Sequence, residues 1–126
     1  MINLCTIAGF TTLVKMKSIN FYCERESIEN GSAIILPWLA PSQNLKDYYE
    51  EHSKIENSSD WLKQYFEYFK LEMKDSDAQA ALDVIQLLNS SEFTVNLVCN
   101  GEFEKSHLLV IGEELTTRGI PFNVVR

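Results

Sequence analysis

Glycine and histidine are scarce in this chain, with five glycines and two histidines in 126 residues. The glycines are too scattered to build a GxGxxG turn or a P-loop, so a glycine-rich phosphate cradle is excluded. No G-x-S-x-G elbow occurs, which removes the commonest serine-nucleophile arrangement of α/β hydrolases. The three cysteines, Cys5, Cys23 and Cys99, are far apart in sequence and form no CxxC pair. Free thiols in a reducing cytoplasm are the expectation. Cys23, His52, Cys99 and His107 show no metal-ligand spacing, so no metal and no other cofactor are expected.

Basic residues are also few, eleven against eighteen acidic ones, for a net charge of −7. Such a field repels phosphate backbones and argues against a nucleic-acid partner. The nearest thing to a basic cluster is Lys15 with Lys17. No apolar run reaches the roughly 18–20 residues of a membrane span. The opening "MINLCTIAGFTTLVKMKS" is mildly apolar, but its basic residues follow the apolar part, the reverse of a signal peptide. Met16 precedes the first convincing strand, so residues 1–15 read as either an extension or an edge element.

What remains, with 45% hydrophobic residues, is the composition of one globular domain over residues 16–126. "KSINFYCE" alternates Ile19, Phe21 and Cys23 against polar neighbours and reads as a strand, closed by the turn residues of "ENGS". "SAIILPW" is a short continuous apolar run, expected to be a strand buried on both faces and ended by Pro37. Three helices should follow. The first starts with Ser42 as its N-cap or with Pro41 near its first turn, and turns Leu45, Tyr48 and Tyr49 to one face. The second is capped by Ser59 or Asp60 and presents Leu62, Phe66, Phe69 and Met73, with Trp61 and Tyr65 on its flank. The third is capped by Ser76 or Asp77 and presents Ala78, Ala81, Leu82, Ile85 and Leu88. "EFTVNLVC" is the best strand in the chain. A helix over 104–118 points Leu108, Ile111 and Leu115 inward, with Gly112 allowing close approach to the sheet. Gly119 and Pro121 end it, and "FNVV" closes the chain as a last strand. Strand, helix and strand in succession imply parallel pairing. The fold class is therefore α/β: a small three-layer domain with a largely parallel sheet of three to five strands flanked by helices.

The order of these segments resembles the domain-of-unknown-function 488 family, in its YeaO-like branch. "LAPSQNLKDYYEEH" is similar to that family's Ala-Pro-Ser and Leu motif. Tyr65, Phe69, Glu72 and Met73, with Trp61 nearby, keep the spacing of its Phe-x-x-x-Tyr-x-x-Glu-Leu helix, although the motif's tyrosine is Phe69 here. In "FTVNLVCNGEFEKSHLLVIGEEL", His107 falls on the histidine that opens the family's next helix. The resemblance spans about residues 18–118. A Trp-Pro-Arg-Gly segment of the family is shortened here to "IILPWLAPS", without its arginines. The resemblance implies a fold and a cytoplasmic setting. It implies no reaction.

Candidate chemistry concentrates in "LVCNGEFEKSH". Cys99 ends a strand where α/β enzymes place nucleophiles, and Lys105 stands where a thiol phosphatase has its arginine. Lysine lacks the planar fork of arginine, and Glu102 and Glu104 would repel an anion and raise the thiol pKa. The favoured reading of Cys99 is a small buried hydrophobe. His107 should project near the C-terminal rim of the sheet, where open α/β sheets bind ligands. The alternatives for it are a general acid or base and a residue that caps the helix start. Cys99, His107 and Glu102 are thus the weak catalytic set, and Trp38, Ser42, Asn100, Lys105 and His107 the expected ligand-binding set. The dense aromatics between Trp38 and Phe69 have acidic neighbours. They suit core packing and a leftover protein-contact surface, such as a homodimer's, better than base stacking. The expected role is binding a small molecule or a protein without catalysis; the alternative is a small-molecule enzyme using a thiol and histidine pair.

Overall fold

The computed structural model describes residues 1–13, 18–25, 33–55 and 60–126. Five strands form one sheet: β1 (Ile2–Thr6), β2 (Ser18–Tyr22), β3 (Ile34–Ile35), β4 (Thr94–Cys99) and β5 (Asn123–Val125). Their order across the sheet is β3-β2-β4-β1-β5, and every neighbouring pair runs parallel. Helix α1 (Ile7–Thr11) follows β1. Helices α2 (Gln43–Ile55), α3 (Asp60–Glu72) and α4 (Ser76–Ser90) lie between β3 and β4 in the chain, and α5 (Leu108–Thr117) joins β4 to β5. The molecule is the small α/β three-layer domain that the segment pattern implies.

Side-chain alternation divides the core. Ile2, Leu4, Val95, Leu97 and Cys99 face the layer of α2 to α5, where they meet Leu45, Phe69, Leu82, Ile85 and Ile111. Cys5, Tyr22 and Val98 face the other way, against Phe10 of α1. On that second face a row of asparagines crosses four strands. Asn123 donates to Asn3 at 3.3 Å, Asn3 to Asn96 at 2.9 Å, and Asn96 to Asn20 at 2.8 Å. The parallel register sets these amides side by side, Asn3 opposite both Asn96 and Asn123, and Asn96 opposite Asn20. Asn3 and Asn96 are buried, and each hydrogen bond offsets a desolvation cost that apolar neighbours could not.

Several expectations change. Residues 2–6 are neither an extension nor an edge: β1 is an interior strand, buried at all five positions, between β4 and β5. Its mixed sequence, INLCT, hides this because Asn3 is satisfied by the amide row and not by water. The expected doubly buried strand at 33–37 shrinks to the two residues of β3, both exposed at the sheet edge. A short 3-10 turn over Pro37–Leu39 replaces the rest, since Pro37 cannot donate to a ladder. In α3 the buried face is Tyr65 and Phe69, continued by Met73, while Leu62 and Phe66 are half-buried; the tyrosine expected on the flank is in the core. The cap of α4 is Asp75, whose carboxylate accepts from the Asp77 N–H. The "ENGS" turn and the Ser59 cap fall outside the described residues.

Other local readings hold. Ser42 Oγ accepts from the Leu45 N–H at the start of α2. Glu72 at the end of α3 braces the same point, accepting from the Ser42 N–H at 2.8 Å and from its hydroxyl at 2.5 Å. Gly112 faces Phe122 and Leu4 so closely that a Cβ there would stand 2.9 Å from the Phe122 ring. Aromatic surface is left over, with Trp38, Tyr68 and Phe93 all exposed. No helix among the described residues is long and apolar enough to cross a membrane.

Candidate functional site

Parallel pairing places the C-terminal ends of β2 and β4 next to each other. Tyr22 stands opposite Val98, and the Cys23 N–H extends the ladder to the Val98 carbonyl at 2.8 Å. The next residues, Glu24 on one side and Cys99 and Asn100 on the other, therefore leave the sheet together. The Asn100 N–H donates to the Glu24 carboxylate at 3.3 Å. After Gly101 (φ +87°), a 3-10 turn over Phe103–Lys105 leads from β4 toward α5. His107 then opens α5, below the end of β2.

A cleft of about 220 Å³ lies at this rim. Its walls include Glu24, Tyr49, Tyr65, Asn100, Lys105 and His107, with Lys46 and Ser106 beside them. Tyr49 of α2 and Tyr65 of α3 meet edge to face, with centroids 4.9 Å apart. That is the position the general rule for open parallel sheets assigns to ligands. The volume is below the roughly 300–1,000 Å³ of pockets for drug-sized molecules, so the occupant must be small.

At the floor, Glu24, Cys99 and His107 bring a carboxylate oxygen, Sγ and a ring nitrogen within 4.8 Å of one another. His107 is 3% exposed and its ring packs edge to face on Phe69. Its Nε2 lies 2.6 Å from the Cys23 carbonyl oxygen and 3.8 Å from Glu24 Oε1. A carbonyl accepts only, so Nε2 carries the proton in the neutral ring. Burial pushes the imidazole pKa down to about 4, against the opposing pull of the Cys23 carbonyl. Cys99 is completely buried. Burial pushes its thiol up to about 12; a hydrogen bond with Ser106 opposes the rise and the Glu24 carboxylate adds to it. Burial also raises Cys23 far above an ordinary thiol, and raises Tyr65 and Tyr49. At neutral pH the floor holds a thiol and a neutral imidazole. It does not hold the thiolate and imidazolium pair of an activated cysteine nucleophile.

The expected site residues separate into groups. Asn100, Lys105 and His107 line the cleft together, with Cys99 immediately beneath. Glu102 stays outside, its side chain 72% exposed and 3.7 Å from Lys105, so the acid beside the thiol and histidine is Glu24. Trp38 and Ser42 belong to a neighbouring cleft with Arg25, Glu72 and Asp75. Trp38 sits in the Pro37–Leu39 turn and is exposed, and the brace to Glu72 fixes Ser42 at the start of α2. Glu24, Tyr49 and Tyr65 escape a reading by local motif because they reach the cleft from three separate elements. The one available signal for Glu24 was its position just past a strand end, at the rim where Cys99 also emerges.

No curated protein and no solved structure matches this chain. The family model described as the active DUF488-N3 subclade matches residues 15–119. That span includes β2 to β4, the cleft and α5. The chain belongs to the DUF488 family.

Proposed function

We propose that this protein binds a small polar molecule in the strand-end cleft and uses none of its three thiols as a nucleophile. The observation that carries this reading is the contrast between rim and floor. The rim offers exposed or half-exposed donors and acceptors on Glu24, Lys46, Asn100 and Lys105. The floor holds a buried neutral imidazole and a thiol raised to about 12. Two lysines and two glutamates, Glu24 and Glu50, around a cavity of about 220 Å³ suit a compact ligand with both donor and acceptor groups. Tyr49 supplies an aromatic edge for its apolar part. A cytoplasmic setting belongs to the same reading, because three buried free cysteines suit a reducing compartment.

The test is chemical-shift mapping of labelled protein against amino acids, nucleosides and sugar phosphates at millimolar concentration. The reading expects shifts at Asn100, Gly101 and Lys105 with at least one class. Shifts confined to the surroundings of Trp38 and Arg25 would move the site to the neighbouring cleft.

A second reading, a small-molecule enzyme, draws on the word "active" in the description of the matched family model and on the closeness of Cys99 to His107. It requires a ligand-induced change that brings the Cys99 thiol pKa down toward neutrality, and it predicts ligand-accelerated alkylation of Cys99.

A further inference from the structure

Tyr65 is 3% exposed, yet its hydroxyl has no hydrogen-bond partner among the described residues. It is not sealed in the core, because Tyr65 forms part of the wall of the strand-end cleft. A buried polar group left without a partner costs about 1–3 kcal/mol, so a phenol kept where a plain phenyl ring would pack as well calls for a reason. We propose that the ligand of the cleft carries a carboxamide, whose carbonyl accepts from the Tyr65 hydroxyl and whose N–H donates to the Glu24 carboxylate. This inference rests on the reading of the cleft as a site for a small polar molecule, and it adds the chemical class.

Packing fixes the phenol ring. Tyr65, Phe69 and Met73 share the buried face of α3. The Tyr65 ring meets Tyr49 of α2 edge to face at 4.9 Å, and Phe66 lies against it at 5.6 Å. A ring already held by its neighbours presents its hydroxyl with little further loss of freedom when a ligand arrives.

Glu24 enters the same cleft from the end of β2, its side chain 18% exposed. Burial, and after it the Glu24 carboxylate, raise the Tyr65 phenol above its ordinary range. At neutral pH the hydroxyl therefore keeps its proton and is available as a donor. The two groups ask for an acceptor and a donor side by side on the ligand, and an amide supplies both in one plane. A carboxylate has no donor for Glu24 and meets it with like charge. An amine has no acceptor for the phenol. A polyol offers both, but leaves the aromatic edge of Tyr49 without an apolar partner. The cavity of about 220 Å³ limits the rest of the ligand to a single ring or a short chain.

The experiment follows the amide shifts of labelled full-length protein titrated with benzamide, benzoate and xylitol, with urea midpoints measured alongside. The proposal expects benzamide to shift Asn100, Gly101 and Lys105, and benzoate to bind about tenfold or more weakly than benzamide at neutral pH. Tyr65→Phe should weaken benzamide by about tenfold or more while its urea midpoint stays level or rises, since no internal bond is lost. Glu24→Gln should narrow the gap between benzamide and benzoate, because a glutamine side chain can donate to the acid. Benzoate or xylitol binding as tightly as benzamide overturns the amide assignment and leaves the cleft a ligand site. Silence of those three residues to benzamide overturns the assignment, and silence to every compound class overturns the underlying reading with it. A lower urea midpoint in Tyr65→Phe shows that the hydroxyl is already satisfied within the fold, and overturns the proposal as well.

Discussion

Nε2 of His107 lies 2.6 Å from the backbone oxygen of Cys23, so the first turn of α5 is tied directly to the end of β2. The bond holds the ring in a pocket where its charged form is disfavoured, with a pKa pushed down from 6.5 to about 4. A base whose folded pKa is depressed stabilises the fold above its ordinary pKa, and that contribution is lost as pH falls through the folded value. Stability should therefore fall between pH 6.5 and pH 4 by about 3 kcal/mol from this group. Urea midpoints of wild type and His107→Gln, compared at pH 7.5 and pH 4.5, provide the measurement. The two proteins should converge as the pH drops. A constant gap between them would show that the His107 pKa is the same in the folded and the unfolded chain.

The thiols should be silent in the native state. Cys5, Cys23 and Cys99 are all completely buried, and burial raises all three pKa values. Reaction with an aromatic disulfide should be roughly a hundredfold or more slower than in urea, because it waits for opening of the sheet. A single fast equivalent assigned to Cys99 by mass spectrometry would instead favour thiol chemistry.

Asn96 holds the centre of the amide row, accepting from Asn3 and donating to Asn20. Asn96→Ala removes both contacts and strands a buried donor on Asn3. The expected loss is about 2–3 kcal/mol in urea unfolding. A double-mutant cycle with Asn3 should show coupling of roughly 1 kcal/mol. Additive losses would mean that the two amides act separately.

Glu92 has φ +67°, a left-handed conformation that costs an L-residue with a Cβ. It lies just past α4, where the Phe93 N–H bonds back to the Leu88 carbonyl. Glu92→Gly should stabilise the protein by up to about 1 kcal/mol despite the greater freedom of glycine in the unfolded chain. Thermal melting checks this, and a lower melting temperature would contradict it.

Glu72 braces the N-terminus of α2 through two hydrogen bonds to Ser42. Glu72→Ala should cost about 1–2 kcal/mol, with faster amide exchange in the first turn of α2. Glu72→Gln, which keeps one acceptor, should lose less. Equal losses in the two variants would make the charge, and not the hydrogen bonds, the source of the effect.

Much of this was legible in the chain. The β-branched run of β4, the spacing of Ala78, Leu82 and Ile85, and the Gly119–Pro121 stop identify their elements because local sterics and periodicity determine them. β1 escaped that logic. INLCT has an amide at its second position, and only a neighbouring amide on β4 makes that residue fit for an interior strand. β3 failed in the opposite sense: Ile34 and Ile35 look like core yet lie exposed on the sheet edge. For the candidate cleft, the grouping of Asn100, Lys105 and His107 was legible because one turn carries all three. Glu24, Tyr49 and Tyr65 were not, since their meeting depends on strand order and helix packing.

By itself, then, the sequence determined an acidic α/β chain with free thiols, a cysteine at a strand end and a histidine one turn later. Those properties follow from composition and from interactions between residues near in sequence. Only the tertiary structure decided that β2 and β4 are neighbours in register, which sets Glu24 and not Glu102 beside Cys99 and His107. The physical reason is that strand pairing is a contest among long-range contacts. Here Asn20 and Asn96, 76 residues apart, join the two strands through a hydrogen bond that no local pattern encodes.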